Sequence, residues 1–229
     1  MKKFMVLALG VALLSGSFGL AVPVSAETPS TTNSNLSTQE LNQTDFDFMY
    51  KEFDKYGVSK DTQERLITQY KNGHLWEANK PNSKPISTRA FDSNTQISTY
   101  SDGSITVQSI DLPRTLLEGG TATGGSGYRI YSGVKVSHSN INMSANFYAD
   151  YVVVSGGPSY ISDVYTPSVG VVGGTHSDKS LVLRKPKEDF RGPAEAVLQF
   201  KVTFYGSSAS GDYWVKLNVG GGNAWESHS

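Results

Sequence analysis

Four histidines, His74, His138, His176 and His228, are the side chains in this sequence best suited to acid–base or metal chemistry. None stands in an HExxH pattern, and no spacing sets two of them on one element facing a metal. His176-Ser177-Asp178 holds the residue types of a hydrolase triad. Adjacent residues on a strand or turn point apart, however, and a triad is assembled from separate segments. Asp45, Asp47 and Asp54 invite a calcium reading, yet Met49 and Tyr50 fall where oxygen ligands are needed. A solvated acidic face near a helix N-terminus, favoured by the helix dipole, accounts for these carboxylates. The sequence therefore assigns no catalytic residue, no metal ligand and no cofactor.

Two short motifs invite chemistry and then depart from it. Gly119 to Gly127 (GGTATGGSG) is glycine-rich, but no Lys-Ser/Thr follows as a phosphate loop requires. Tyr128 takes the last position of what would be G-x-S-x-G, so Ser126 is not a nucleophile elbow. The segment reads as a flexible loop, with a lid or ligand-gripping loop as the alternative. Leu112-Pro113-Arg114-Thr115 resembles the start of the LPxTG sorting signal of Gram-positive surface proteins. Leu116 replaces the glycine, and no apolar segment with a basic tail follows, so a loop after a strand is the better reading.

Aromatic residues on strands are the remaining candidates. If Tyr213, Val215, Leu217 and Val219 face a core, alternation turns Trp214 outward. By the same count Phe147, Ala149, Tyr151 and Val153 share one face, leaving Tyr148 and Asp150 on the other. Rigid outward aromatics beside polar groups stack on sugar rings or anchor a partner, so Trp214 and Tyr148 are the expected ligand-binding residues. The competing expectation is that a helical segment covers them and makes them ordinary core.

The elements that must position these residues follow from periodicity. Phe46, Met49, Tyr50 and Phe53 recur at helical spacing, with Thr44 or Asp45 as cap and Gly57 at the C-terminal end. A second helix starts near Ser59 or Asp61, carries Leu66, Ile67 and Tyr70, and ends at Asn72-Gly73. Both are too short to be stable alone in water, so their aromatic face must pack on each other and on something else, with Leu75 and Trp76 as contacts. From about Ala90 the period becomes two. Ile97–Ser101 and Ser104–Ile110 flank Asp102-Gly103, expected as a two-residue hairpin turn. Tyr128–Val136, Asn142–Val154, a short Leu181–Leu183, Ala196–Tyr205 and Tyr213–Val219 read as strands. Ile161–Val172 is broken by Pro167 and reads as bent or edge. About eight strands with Gly/Ser turns imply a mainly β chain, an immunoglobulin-like antiparallel β-sandwich preceded by a helix pair, with a closed barrel as the main alternative.

The N-terminus addresses the chain. Lys2 and Lys3 precede an uncharged apolar run from Phe4 to Val22, and Val24-Ser25-Ala26 places small residues before a cut at Glu27. The expected organisation is a signal peptide over 1–26 and a polar tether over 27–43. A helical hairpin over 44–76, a linker over 77–90 and a β-sandwich over 91–229 follow. Net charge is −1 at pH 7, and loss of the two lysines makes it about −3. With 18% charged residues the chain lacks the basic footprint of a nucleic-acid binder and the polybasic cluster of a membrane-surface protein. Absence of cysteine removes disulfide frameworks, thiolate metal sites and thiol nucleophiles, so the fold rests on burial alone.

In layout (signal peptide, polar tether, helix pair, cysteine-free β domain) the chain resembles small secreted proteins of Gram-positive bacteria, a resemblance of architecture that implies location rather than activity. Export without a transmembrane anchor after cleavage is expected. The leading functional expectation is a non-catalytic binding module for an extracellular polysaccharide, envelope component or protein partner. A self-associating structural protein and a secreted hydrolase are the alternatives. Coplanar exposed aromatics favour the first, a long unpaired edge strand the second, and a cleft with a perturbed carboxylate the third.

Overall fold

The computed structural model describes residues 41–111, 121–206 and 210–229. The expected signal peptide, nearly all of the tether and Leu112–Thr115 lie outside them. Helix α1 runs over Gln43–Lys55 and α2 over Lys60–Lys71, followed by a 3-10 turn at Glu77–Asn79. The strands are β1 (Ser87–Ala90), β2 (Thr95–Thr99), β3 (Ile105–Asp111), β4 (Thr121–Gly125), β5 (Tyr128–Asn140) and β6 (Met143–Val154). They continue with β7 (Tyr160–Val171), β8 (Gly174–Lys185), β9 (Ala194–Phe204), β10 (Ser210–Gly220) and β11 (Asn223–His228).

Two antiparallel sheets form the sandwich. The larger runs β1-β2-β3-β5-β6-β7 with β4 also on β5, and the smaller runs β11-β10-β9-β8. Each sheet is a meander of strands close in sequence, and the chain crosses between them at the Val171–Gly174 turn. Strands do not interleave between sheets as they do in the immunoglobulin order, so that detail of the expectation is corrected while the sandwich stands. No ladder joins the sheets into a closed barrel among the described residues.

Core facing follows the alternation. Leu198, Phe200, Val202 and Phe204 are buried while Gln199 and Lys201 are exposed, and Tyr213, Val215, Leu217 and Val219 face the same interior. Pro167 lies on the edge strand β7, where a register shift sets Thr166 and Pro167 out of the ladder. The Asp102-Gly103 hairpin is present, but Tyr100 pairs with Ser104 across three residues, with Gly103 at φ +82°.

The strand count is the main departure, eleven among the described residues against eight expected. Thr121–Gly125 pairs with β5, so the C-terminal part of the glycine-rich segment is a strand rather than a flexible loop. Ser87–Ala90, read as linker, pairs with β2. Leu181–Leu183 is the middle of a much longer strand. Gly221 and Gly222, both at positive φ, turn the chain back so that Asn223–His228 pairs with β10. None of these segments has enough apolar alternation to announce a strand; neighbouring backbone supplies the hydrogen bonds that make them so.

The helix pair belongs to the same core. Asn42 caps α1 and forms a reciprocal capping box with Asp45, and Ser59 caps α2. The folded unit thus reaches into the expected tether, since Leu41 packs on the core and Asn42 sets the first turn. Trp76 is wholly buried against Phe53 and Tyr70, at ring separations of 5.5 and 5.2 Å, and its indole N–H donates to Leu66 O at 2.7 Å. The Tyr70 hydroxyl reaches the carbonyls of Val172 and Gly173. The backbone N–H of Glu77 and of Ala78 donate to Asp102 and Ser104, and the Tyr213 hydroxyl donates to Asn79 O. The contacts to Val172, Gly173, Asp102 and Ser104 fall on or beside the β7–β8 and β2–β3 turns, and that to Tyr213 near the start of β10, so the helical segment packs on the ends of these strands.

Candidate functional site

Strand alternation and the Gly221-Gly222 turn together build the outer face of the smaller sheet. Trp214 points away from the core, as expected, and is half-buried. Its neighbour on the strand is Lys216, whose ammonium lies 5.3 Å from the indole centroid. Trp225 shares this face. It stands opposite Asn218 in the β10–β11 register and is 43% exposed, whereas Glu226, the next residue, turns inward. Asn218 donates to Trp225 O and Ser227 Oγ, which fixes the strand that carries Trp225. From Trp214 to the position opposite Trp225 is four residues, about 13 Å along a strand. Ser227, opposite Lys216, adds a polar group between the rings, and Gln199 on β9 flanks Trp214 on the side away from β11. Trp225 was not among the sequence candidates; the Gly221-Gly222 pair and the six-residue run Asn223–His228 that follows it are the signal that could have found it.

Tyr148 also faces outward and half-buried, but on the larger sheet, stacked on Tyr165 at 6.0 Å with Lys135 beside it in register. The two expected binding residues therefore stand on opposite outer faces and do not form one site. Neither joins the core cluster, so the helix pair covers neither.

Between the sheets, β11 meets the larger sheet at its β3–β5 region. A cleft of about 590 Å3 opens there, lined by Gln96, Gln108, Tyr131, Tyr151, Asn223 and Glu226 among others. Tyr131 and Tyr151 stack at 4.9 Å, and the Gln108 amide donates to Gln96. Inward of it three titratable groups come together. His138 Nδ1 lies 3.8 Å from Glu226 Oε1, and His228 Nδ1 lies 3.3 Å from both carboxylate oxygens. The imidazoles stack at 3.8 Å with 26° between planes. Burial, with some help from His228, holds His138 well below the ordinary imidazole value, and burial raises the Glu226 carboxyl despite the His228 hydrogen bond. The expectation that no metal ligands are present rested on spacing within one element, and this cluster is one that such spacing does not address. His138 and His228 arrive on strands of different sheets.

The other sequence candidates serve the fold. Asp45 closes the capping box, Asp47 accepts from Gln43, and Asp54 accepts from Lys60 and Gln63, which lower its pKa. His176 and Ser177 are exposed on β8, and Asp178 pairs with Lys201 at 3.4 Å. No helix among the described residues is long and apolar enough to cross a membrane. Comparison with known protein families, characterised proteins and solved structures yields no match.

Proposed function

We propose that this chain is an exported, non-catalytic binding module whose ligand is an extracellular or cell-envelope polysaccharide, held on the outer face of the smaller sheet. The observation that carries this reading is the placement of Trp214 and Trp225 on one face, incompletely buried, with Lys216, Gln199 and Ser227 around them. Indoles held by strand backbone lose little entropy on binding, and a flat aromatic surface flanked by polar groups suits a sugar ring, with an apolar face and hydroxyl edges.

Trp214→Ala, Trp225→Ala and the double variant test it against purified cell-wall polysaccharide, with urea melts on the same proteins. Loss of a stacking aromatic worth about 2 kcal/mol weakens binding roughly 30-fold, while the urea midpoint moves little because neither ring is in the core. A double variant that is as stable as wild type and equally retained refutes the proposal.

One observation favours the hydrolase alternative. Glu226 borders the cleft and its carboxyl is raised by burial. Release of reducing ends from the same polysaccharide, abolished by Glu226→Gln, would support that reading over simple binding. Strand β8, a long exposed edge, is what self-association would use, but Asp178, Lys179, Arg184, Lys185 and its register shifts are features that oppose edge pairing.

A further inference from the structure

The structure assigns a transition-metal site to His138, Glu226 and His228, with zinc as the ion its donor set suits best. Two imidazoles and a carboxylate are the protein ligands of three-ligand zinc centres, which leave a fourth position for water. Here the donors come from two sheets, His138 on β5 and Glu226 and His228 on β11, and their ligand atoms all lie within 4.8 Å of one another. With metal–ligand bonds of about 2.1 Å, tetrahedral donors stand about 3.4 Å apart. The Glu226–His228 pair is at that spacing at 3.3 Å, and His138 is close to it at 3.8 Å.

A second, independent observation points to a ligand. His138 is 5% exposed and its Nδ1 has no hydrogen-bond partner, although it is aimed at a carboxylate that is itself buried. Water-excluded polar groups ordinarily find partners, and those that do not call for an explanation. A cation between the three groups would take the lone pair of His138, balance the Glu226 charge and complete a set that is otherwise half satisfied. To converge on one ion the imidazoles must splay from their stack. His228 is the ring free to do so, since it is only half-buried and lies on the edge strand β11. The site pins β11 to the larger sheet, and it stands whether or not the Trp214–Trp225 face binds a glycan.

The test is calorimetric titration of the chelator-treated, buffer-exchanged protein with zinc chloride alone, with thermal melts in parallel. One equivalent bound per chain and a raised melting temperature are expected. Glu226→Gln and His228→Ala should each weaken binding at least tenfold, while His74→Ala and His176→Ala, at exposed histidines elsewhere, should not. Cobalt should give the intense visible bands of a four-coordinate site in wild type and lose them in His228→Ala. Because His228 is only partly buried, that variant keeps the test valid even if His138→Ala fails to fold. A folded wild type that binds no zinc, or binding unchanged in Glu226→Gln and His228→Ala, overturns the assignment.

Discussion

Replacing Trp76 asks whether the helix pair and the sandwich are one cooperative unit. The side chain is wholly buried, touches an aromatic from each helix, and donates to a carbonyl of α2 at 2.7 Å. Trp76→Ala removes the largest fully buried side chain, for which truncation costs about 3–5 kcal/mol. Loss of the indole hydrogen bond is a small part of this, because Leu66 O keeps its place in the helix ladder and a single bond nets about 1 kcal/mol. Taking about 4 kcal/mol and about 2–4 °C per kcal/mol for a domain of this size, the melting temperature should fall by about 8–16 °C. Trp76→Phe keeps most of the volume and should lose less than half as much. Urea unfolding followed by far-ultraviolet circular dichroism and by the fluorescence of Trp214 and Trp225 should show one transition, shifted equally in both signals. If helical signal disappears at low urea while the fluorescence midpoint stays at the wild-type value, the helices are a separate layer and the single-core reasoning fails.

Two further outcomes follow from backbone and charge. Gly206 sits at φ +70°, and a Cβ there would lie 2.7 Å from the Gly73 Cα; Gly206→Ala should destabilise by about 1–3 kcal/mol through left-handed strain and a backbone clash, and a melt unchanged within error would show that the end of α2 does not bear on this turn. Glu188 accepts from the backbone N–H of Ser159 and of Gly221, which hold its pKa below the ordinary 4.5. A depressed folded value means stabilisation that is present above 4.5 and lost as pH falls through the lower folded value. The urea-midpoint gap between wild type and Glu188→Gln should therefore be open at pH 7 and narrow by pH 3, and a gap that does not depend on pH would place the contribution elsewhere.

Local pattern determined much of this protein. The facing of Phe200 against Lys201 and of Tyr213 against Trp214 was legible because a strand alternates every residue, whatever it pairs with. The α1 and α2 faces were legible because 3.6-residue spacing and capping residues are properties of a few neighbours. The same logic is why Trp214 and Tyr148 read correctly as outward residues. What local pattern could not carry is which outward residues share a face. Trp214 shares its face with Trp225 and not with Tyr148, because Gly221 and Gly222 return a strand with weak apolar alternation onto β10 while Tyr148 belongs to the other sheet. The His138–Glu226–His228 cluster was decided wholly by tertiary structure. Its members meet because sheet packing brings β11 over β5, and a contact between residues that far apart in sequence depends on sheet order and register, which no spacing within one segment encodes.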